Sequence, residues 1–298
     1  MMKSIKNFKR ILITGAAGFI GGCLKRHYED KGFVVAGIDR KDFDGQTLDI
    51  LDWNKLKTFV CSFNPDIISH QAAQSSVEFS TKNEQFDAEN NIIGTINMIK
   101  LANDVDAKLI YANTGGAGYG SGTHLREDDP QKPESPYALS KTTGEKYIEL
   151  LMSRLRWASL RYANVYGPQD DRGVVSKFMD NLKHGRKCEI FGDGNQTRDY
   201  IYIDDLIALH DLMVEGSFGA YNCSTGIGTT TKEVYNLVAS QMNIDWEPTF
   251  IKARAGDIAD SVLDNRKAKG LGWEPKIDLQ TGIKLMLDEY RRIDHSVS

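Results

Sequence analysis

Arg10-Ile11-Leu12-Ile13-Thr14-Gly15-Ala16-Ala17-Gly18-Phe19-Ile20-Gly21 is the stretch that decides the fold. A short apolar run ends at Thr14, and glycines then stand at every third position, Gly15, Gly18 and Gly21, where a strand should turn into a helix. Such a turn brings backbone N–H groups and a helix N-terminus against a pyrophosphate. A glycine-rich turn alone is weak evidence, but Asp39 ends the next strand at the spacing of about 20 residues expected of a ribose ligand. A carboxylate there accepts both ribose hydroxyls of an adenosine and repels a 2′-phosphate. The expected cofactor is therefore NAD rather than NADP, with Arg40 lying over the adenine.

Outward from this stretch, apolar β-branched runs alternate with amphipathic ones, the pattern of strands and crossover helices in a parallel sheet. Strands are expected at Arg10–Thr14, Phe33–Ile38, Ile67–His70, Lys108–Ala112 and Trp157–Tyr162. Helices are expected near Gly18–Lys31, Trp53–Ser62, Asn83–Asn103 and Tyr137–Ser153, with Gly32 capping the first. Right-handed crossovers make this a doubly wound α/β sheet of the Rossmann kind. Beyond Pro168 the alternation is irregular, with helical patterns near Val174–His184, Lys232–Met242 and Leu279–Arg292. The expected organisation is a dinucleotide-binding domain over 1–167, to which 199–225 returns, and a smaller α/β substrate lobe over 168–298.

The formal net charge is −4 over 298 residues and the basic side chains are scattered, which argues against a nucleic-acid partner or a polybasic membrane patch. Cys23, Cys61, Cys188 and Cys223 form no C-x-x-C pair, so neither a zinc site nor a disulfide framework is expected. The basic lead-in Met1–Arg10 meets an apolar run broken at Thr14-Gly15, too soon for a signal peptide, and no later run is long enough to span a bilayer. A cytoplasmic protein is expected.

Ser135-Pro136-Tyr137-Ala138-Leu139-Ser140-Lys141 opens a helical pattern whose i, i+4 spacing puts Tyr137 and Lys141 on one face. A phenol is a poor base at its ordinary pKa of about 10. An adjacent ammonium and a positive nicotinamide ring both favour the phenolate, bringing it towards the pH at which a general base works. On ordinary helices Tyr-x-x-x-Lys is common; following the Gly15–Gly21 turn, it points to a catalytic pair.

At this point the sequence resembles the extended short-chain dehydrogenase/reductases, and within them the NAD-dependent nucleotide-sugar epimerases and dehydratases. The resemblance runs over nearly the whole chain. It is carried by Asp49-Ile50, similar to the pair that meets the adenine, by His70-Gln71-Ala72-Ala73-Gln74, similar to the strand end lining the cofactor, and by Asn91-Ile92-Ile93-Gly94-Thr95. Arg161-Tyr162-Ala163-Asn164-Val165-Tyr166-Gly167-Pro168 and Arg198-Asp199-Tyr200-Ile201-Tyr202-Ile203-Asp204-Asp205 are equally diagnostic. The resemblance implies cofactor contacts from the Gly15–Gly21 turn, Asp39, Arg40, Asp49, Ile50, Gln71, Ala72, Ala73, Asn91, Tyr137, Lys141 and Tyr162. It also implies a homodimer packed through the helices of Asn83–Asn103 and Tyr137–Ser153.

The family adds a Ser or Thr that hydrogen-bonds the reacting hydroxyl. Asn113-Thr114-Gly115-Gly116-Ala117-Gly118-Tyr119-Gly120 has Gly115 where many relatives carry it, leaving Thr114 as the candidate. Dehydratases of the family carry Asp-Glu directly after that hydroxyl, because elimination needs a further acid and base; those places here are glycine and alanine. The resemblance therefore favours a 4-epimerase acting on a nucleotide-activated sugar, closest to the UDP-glucose 4-epimerases. A 4,6-dehydratase or net oxidoreductase is the alternative, and a non-catalytic NAD-binding regulator would have no use for Tyr137 and Lys141. The resemblance maps Asn164, Arg198 and Arg254 onto diphosphate contacts, Asp257 onto a ribose contact and Phe191 onto the uracil environment. It places Ser261 where a bulkier gatekeeper excludes N-acetylated sugars, so a small serine is expected to admit UDP-GlcNAc and UDP-GalNAc.

Overall fold

A computed structural model describes residues 10–42, 47–253 and 258–296. In chain order the first half holds β1 (Arg10–Thr14), α1 (Phe19–Asp30), β2 (Val34–Ile38), α2 (Trp53–Phe63), β3 (Ile67–His70), α3 (Val77–Ser80), α4 (Glu84–Ala88), a π turn (Glu89–Ile93), α5 (Gly94–Asp104), β4 (Lys108–Thr114), α6 (Gly116–Tyr119), β5 (Gly122–Leu125) and α7 (Pro136–Leu151). The remainder holds β6 (Trp157–Tyr162), β7 (Asn164–Tyr166), α8 (Val174–Lys183), β8 (Glu189–Phe191), β9 (Thr197–Tyr202), α9 (Ile203–Glu215), β10 (Gly219–Cys223), β11 (Gly228–Thr230), α10 (Thr231–Gln241), β12 (Thr249–Ile251), β13 (Asp260–Leu263), α11 (Arg266–Lys269) and α12 (Leu279–Ser296). Two compact units share them. The first comprises 1–114, 135–160 and 210–220, and the second 115–134, 161–209 and 221–298.

The six-stranded sheet has the order β10-β6-β4-β3-β1-β2, the doubly wound arrangement, with β2, β1, β3 and β4 pairing in parallel. Alternate side chains of its strands enter opposite faces. Leu12, Ile68 and Leu109 join Leu56, Val60, Met98, Leu101 and Ile148 of α2, α5 and α7 in one fully buried core. Tyr28 of α1 donates to or accepts from His210 Nδ1 at 2.7 Å, while His210 Nε2 pairs with Ser69 Oγ at 2.9 Å. Burial pushes His210 down to about 3, so this imidazole is neutral and bridges α1 to β3. Gly32, at φ +78°, ends α1 as expected, its N–H bonded to Glu29 O.

The expected helix Asn83–Asn103 is instead α4, a π turn and α5 in succession, where Gly94 N–H reaches back to Glu89 O. The turn rotates Asn91 so that its amide faces inward. In α7, Ser135 Oγ accepts the Ala138 N–H and Pro136 opens the first turn, which fixes where the Tyr137–Lys141 face begins.

In the second unit β9 pairs with β7, β11 and β13, and β13 pairs with β5. The Arg198–Asp205 motif is largely internal carpentry. Asp199 accepts from Thr225 N–H, Thr225 Oγ1 and Gly226 N–H, and Asp205 accepts the backbone N–H of Lys276 and Ile277. Buried carboxylates of this kind need such donors to offset lost hydration.

Candidate active site

The turn after β1 has the shape a dinucleotide needs. Gly15 sits at φ +71°, and a Cβ there would meet Ala72 N at 2.7 Å. A Cβ at Gly21 would run into the Gly15 carbonyl oxygen, so α1 can approach the turn only without a side chain. Gly18 caps α1 with no side-chain bond, and its N-terminal N–H groups are left to an outside acceptor such as a phosphate. Phe19 and Ile20, half-buried, carry the chain into α1. Asp39 is held beside the turn, accepting Ala17 N–H at 3.2 Å and Lys41 N–H at 3.0 Å, and each oxygen keeps a lone pair for a ribose hydroxyl. Arg40 lies over the Phe86 ring, 5.3 Å from its centroid.

The end of β3 is wired into the same turn. Ala72 N–H donates to Thr14 Oγ1, which pairs with His70 Nδ1 at 2.8 Å. His70 Nε2 pairs with Thr95 Oγ1, whose own hydrogen goes to Asn91 O. Thr95 thus accepts and His70 is the Nε2–H tautomer; burial, then the Lys141 charge, holds it down at about 3. Gln71 Nε2 donates to Ser69 Oγ, and Ala73 is half-buried beside it. Other sequence candidates also bond within the first unit. Asn91, 1% exposed, donates to Gln74 O, Asp87 Oδ1 and Ser140 Oγ and accepts from Gln74 N–H. Ile50 packs on Gly94 and gives its carbonyl to Asn97, while Asp49 caps the Leu51 N–H.

Tyr137, Lys141 and Thr114 come together in the first unit. The Thr114 hydroxyl hydrogen-bonds the Tyr137 phenol and favours its ionised form; burial and the Asp87 carboxylate oppose this and push the phenol up to about 12. Burial pushes Lys141 down to about 7 against the opposing pull of Asp87 and Glu145. Its ammonium lies over the Tyr111 ring, 4.1 Å from the centroid. Gly144 lets α7 come this close, since a Cβ there would meet Tyr111 Oη at 2.5 Å. Glu145 is wholly buried and accepts from Asn113 Nδ2 at 2.7 Å and from Ser159 Oγ. Sequence reasoning missed Asp87 and Glu145; their signal was the i, i+4 spacing from Asp87 to Asn91 and from Lys141 to Glu145.

Gly115 packs within the second unit. A Cβ there would enter Leu263 Cδ1 and lie 3.1–3.2 Å from the carbonyls of Arg161 and Tyr162. The position is therefore glycine by packing within the second unit, and the hydroxyl beside Tyr137 belongs to Thr114. A Cβ on Gly116 would meet Ser261 Oγ at 2.5 Å, so that place has no room for a carboxylate.

In the second unit, Arg198 and Ser261 are register partners on β9 and β13. Ser261 is 4% exposed and lies against Gly116, rather than in an open pocket. Arg198 Nη1 bonds Thr197 O and Ala259 O. Phe191, at the end of β8, is half-buried, Asn164 is exposed on β7, and Tyr162 is buried with its carbonyl accepting Gly115 N–H. Arg254 and Asp257 lie outside the described residues.

The model of the NAD dependent epimerase/dehydratase family matches residues 11–224. A UDP-glucose 4-epimerase of Mycolicibacterium smegmatis is 35% identical over 95% of this chain and 98% of its own length. Among solved structures, the UDP-glucose 4-epimerase of Thermotoga maritima with UDP-glucose superposes with a TM-score of 0.90 at 34% identity, covering 95% of this chain and 99% of that one. That of Thermus thermophilus, in complex with NAD, gives 0.87 at 34% identity over the same shares. The chain belongs to the NAD-dependent epimerase/dehydratase family.

Proposed function

We propose that the chain is a UDP-hexose 4-epimerase, interconverting UDP-glucose and UDP-galactose through a 4-keto intermediate. The observation that carries this reading is a single acid–base cluster, Thr114–Tyr137–Lys141, in the unit that holds the dinucleotide turn, with glycine and alanine at the places where dehydratases carry Asp-Glu. NAD, which the Gly15–Gly21 turn and Asp39 would hold, would supply a reversible hydride acceptor for sugar C4 and a positive ring that favours the phenolate. Tyr137 Oη takes the proton of the 4-hydroxyl, keeps it while the sugar turns over, and gives it back. Thr114 donates to the reacting oxygen or to the phenolate, and Lys141 supplies the positive charge that makes the phenol a usable base. Asn164, Arg198 and Arg254 hold the diphosphate, Asp257 the ribose and Phe191 the base, with arginine forks matched to phosphate oxygens. No proton leaves the site in a full cycle, so nothing beyond this cluster is required.

The test is to follow UDP-glucose by NMR with the purified protein, with and without added NAD. Appearance of UDP-galactose supports the reading; accumulation of a 4-keto-6-deoxy sugar, or net NADH release, would replace it with a dehydratase or an oxidoreductase. UDP-GlcNAc in the same assay tests Ser261. Both sugar pairs should turn over in the wild type, and Ser261→Tyr should lose the N-acetylated pair selectively. Equal loss of both would assign Ser261 to packing against Gly116.

The homodimer rests on an apolar stripe along α7, where Leu139, Tyr147, Leu150 and Leu151 are exposed, Leu150 to 78%, with Ile93 on the neighbouring π turn. Contiguous exposed apolar surface of this kind marks an interface. Sedimentation should give a dimer; a fully active monomer would overturn it. Among the described residues no helix is long and apolar enough to cross a membrane. Four free thiols fit a reducing, cytoplasmic setting.

A further inference from the structure

Asp87 has no place in the reaction as derived so far, yet it is 1% exposed in the unit that holds Tyr137 and Lys141. Its Oδ1 accepts from Gln74 Nε2 at 2.7 Å and Asn91 Nδ2 at 3.1 Å; its Oδ2 is buried with no hydrogen-bond partner. A carboxylate oxygen in that state costs free energy unless a charge nearby compensates for it. The charges around it are few. Lys141 of α7 is 2% exposed, and among the described residues no carboxylate lies within ion-pair distance of its ammonium. Its own helix adds Glu145, whose charge is already shared with Asn113 Nδ2 and Ser159 Oγ, and Tyr137. β4 adds Tyr111 and β3 adds His70, both neutral near pH 7 because burial opposes their charged forms. Among the described residues the cluster thus holds one ammonium and two carboxylates, and the Asp87 Oδ2 is a buried oxygen without a hydrogen-bond donor.

We propose that Asp87 is a positioning residue of the reaction: its buried, half-satisfied carboxylate is the counter-charge that keeps Lys141 an ammonium, and through Lys141 it governs Tyr137. Burial holds Lys141 down at about 7 even with Asp87 and Glu145 opposing it, so removing the Asp87 charge moves the lysine further towards its neutral form. Burial and the pull of Asp87 act on Lys141 in opposite directions, consistent with this arrangement. Asp87 also disfavours the phenolate directly, so its benefit to Tyr137 comes only by way of the lysine. The inference rests on the roles given above to Tyr137 and Lys141. Its first readout uses protein without substrate, so its failure is distinct from a failure of the epimerase reading.

The experiment titrates the Lys141 ¹³Cε resonance in lysine-labelled protein, assigned with Lys141→Met, for wild type, Asp87→Asn and Asp87→Glu. Asp87→Asn keeps the size and the Oδ1 bonds but removes the charge. Its lysine midpoint should fall by about one unit or more, the scale of a close opposite charge. Because Lys141 works as the ammonium, the alkaline limb of kcat should move to lower pH by the same amount, with KM little changed. Asp87→Glu disturbs the bonds to Gln74 and Asn91 but keeps the charge, so its midpoint should stay nearer the wild type. A purely structural Asp87 predicts the reverse order of damage, glutamate worse than asparagine, with the lysine midpoint unmoved in Asp87→Asn; that result would overturn the proposal.

Discussion

Tyr137→Phe should lower kcat for UDP-glucose epimerisation by about 10²–10⁴-fold, the range by which a positioned acid–base group contributes, while the KM for UDP-glucose changes little. The phenylalanine keeps the ring that fills the half-buried space at the start of α7, so the fold and NAD binding should persist. What is lost is the one group beside Thr114 able to take and return the 4-hydroxyl proton. The resting phenol, pushed up to about 12 by burial and then by Asp87, is protonated throughout the neutral range. Each unit by which added positive charge lowers it is worth about 1.4 kcal/mol, a factor of ten in the phenolate available at a given pH. A variant with a large residual rate would mean that Thr114 or water performs the transfer. The measurement is steady-state kinetics with co-purified NAD quantified in both proteins, so that lost chemistry is separated from lost cofactor.

Gly21→Ala should produce the second large effect, this time on the cofactor rather than the chemistry. The added methyl would collide with the carbonyl of Gly15 and come within 3.2 Å of Ala16 Cα, both backbone atoms that cannot swing aside. Relief requires α1 to move away from the turn, which separates the helix N-terminus from the place where the backbone N–H groups converge. Overpacking of this kind costs about 1–3 kcal/mol, and the displaced N-terminus should reduce NAD retention at least tenfold. Equilibrium dialysis with NAD and thermal unfolding of the cofactor-free protein check the two parts. Gly32→Ala is the contrast: nothing lies near its missing Cβ, so its φ of +78° should cost only local strain at the end of α1 and leave NAD binding intact.

These contrasts show what was legible in the sequence. The glycine spacing, Asp39 and the Tyr137–Lys141 face are local patterns with a fixed period, and the strands from β1 to β4 followed from apolar runs bounded by turn residues. The break in the helix at the π turn left no such trace, since Glu89–Ile93 is as compatible with an ordinary α-helix as its flanks are. The burial of Asp87 and Glu145 was harder to read, their i, i+4 spacing to Asn91 and from Lys141 being the one local sign. A carboxylate on an amphipathic helix reads as a solvated face, and only tertiary packing of α4 and β4 on α7 makes these two buried neighbours of Lys141. Asn91, a motif residue, also holds the Gln74 loop, bonding its backbone through both the oxygen and the nitrogen of the amide. Gly115 and Ser261 needed three dimensions as well, because the atoms that forbid a side chain at 115 come from Leu263 and from β6.

The alternation of the two units along the chain bears on synthesis as well as on shape. The first unit is closed only by 210–220, whose His210 anchors Tyr28 and Ser69, and whose Met213 carbonyl, with that of Ser217, receives the ammonium of Lys108. A ribosome must therefore release the chain through residue 220 before the first unit can finish folding, and by then the second unit's segments 115–134 and 161–209 have already been made. A protease cut between residues 115 and 210 would therefore divide both units between the two fragments, whereas one beyond 220 would leave every segment of the first unit on the N-terminal fragment.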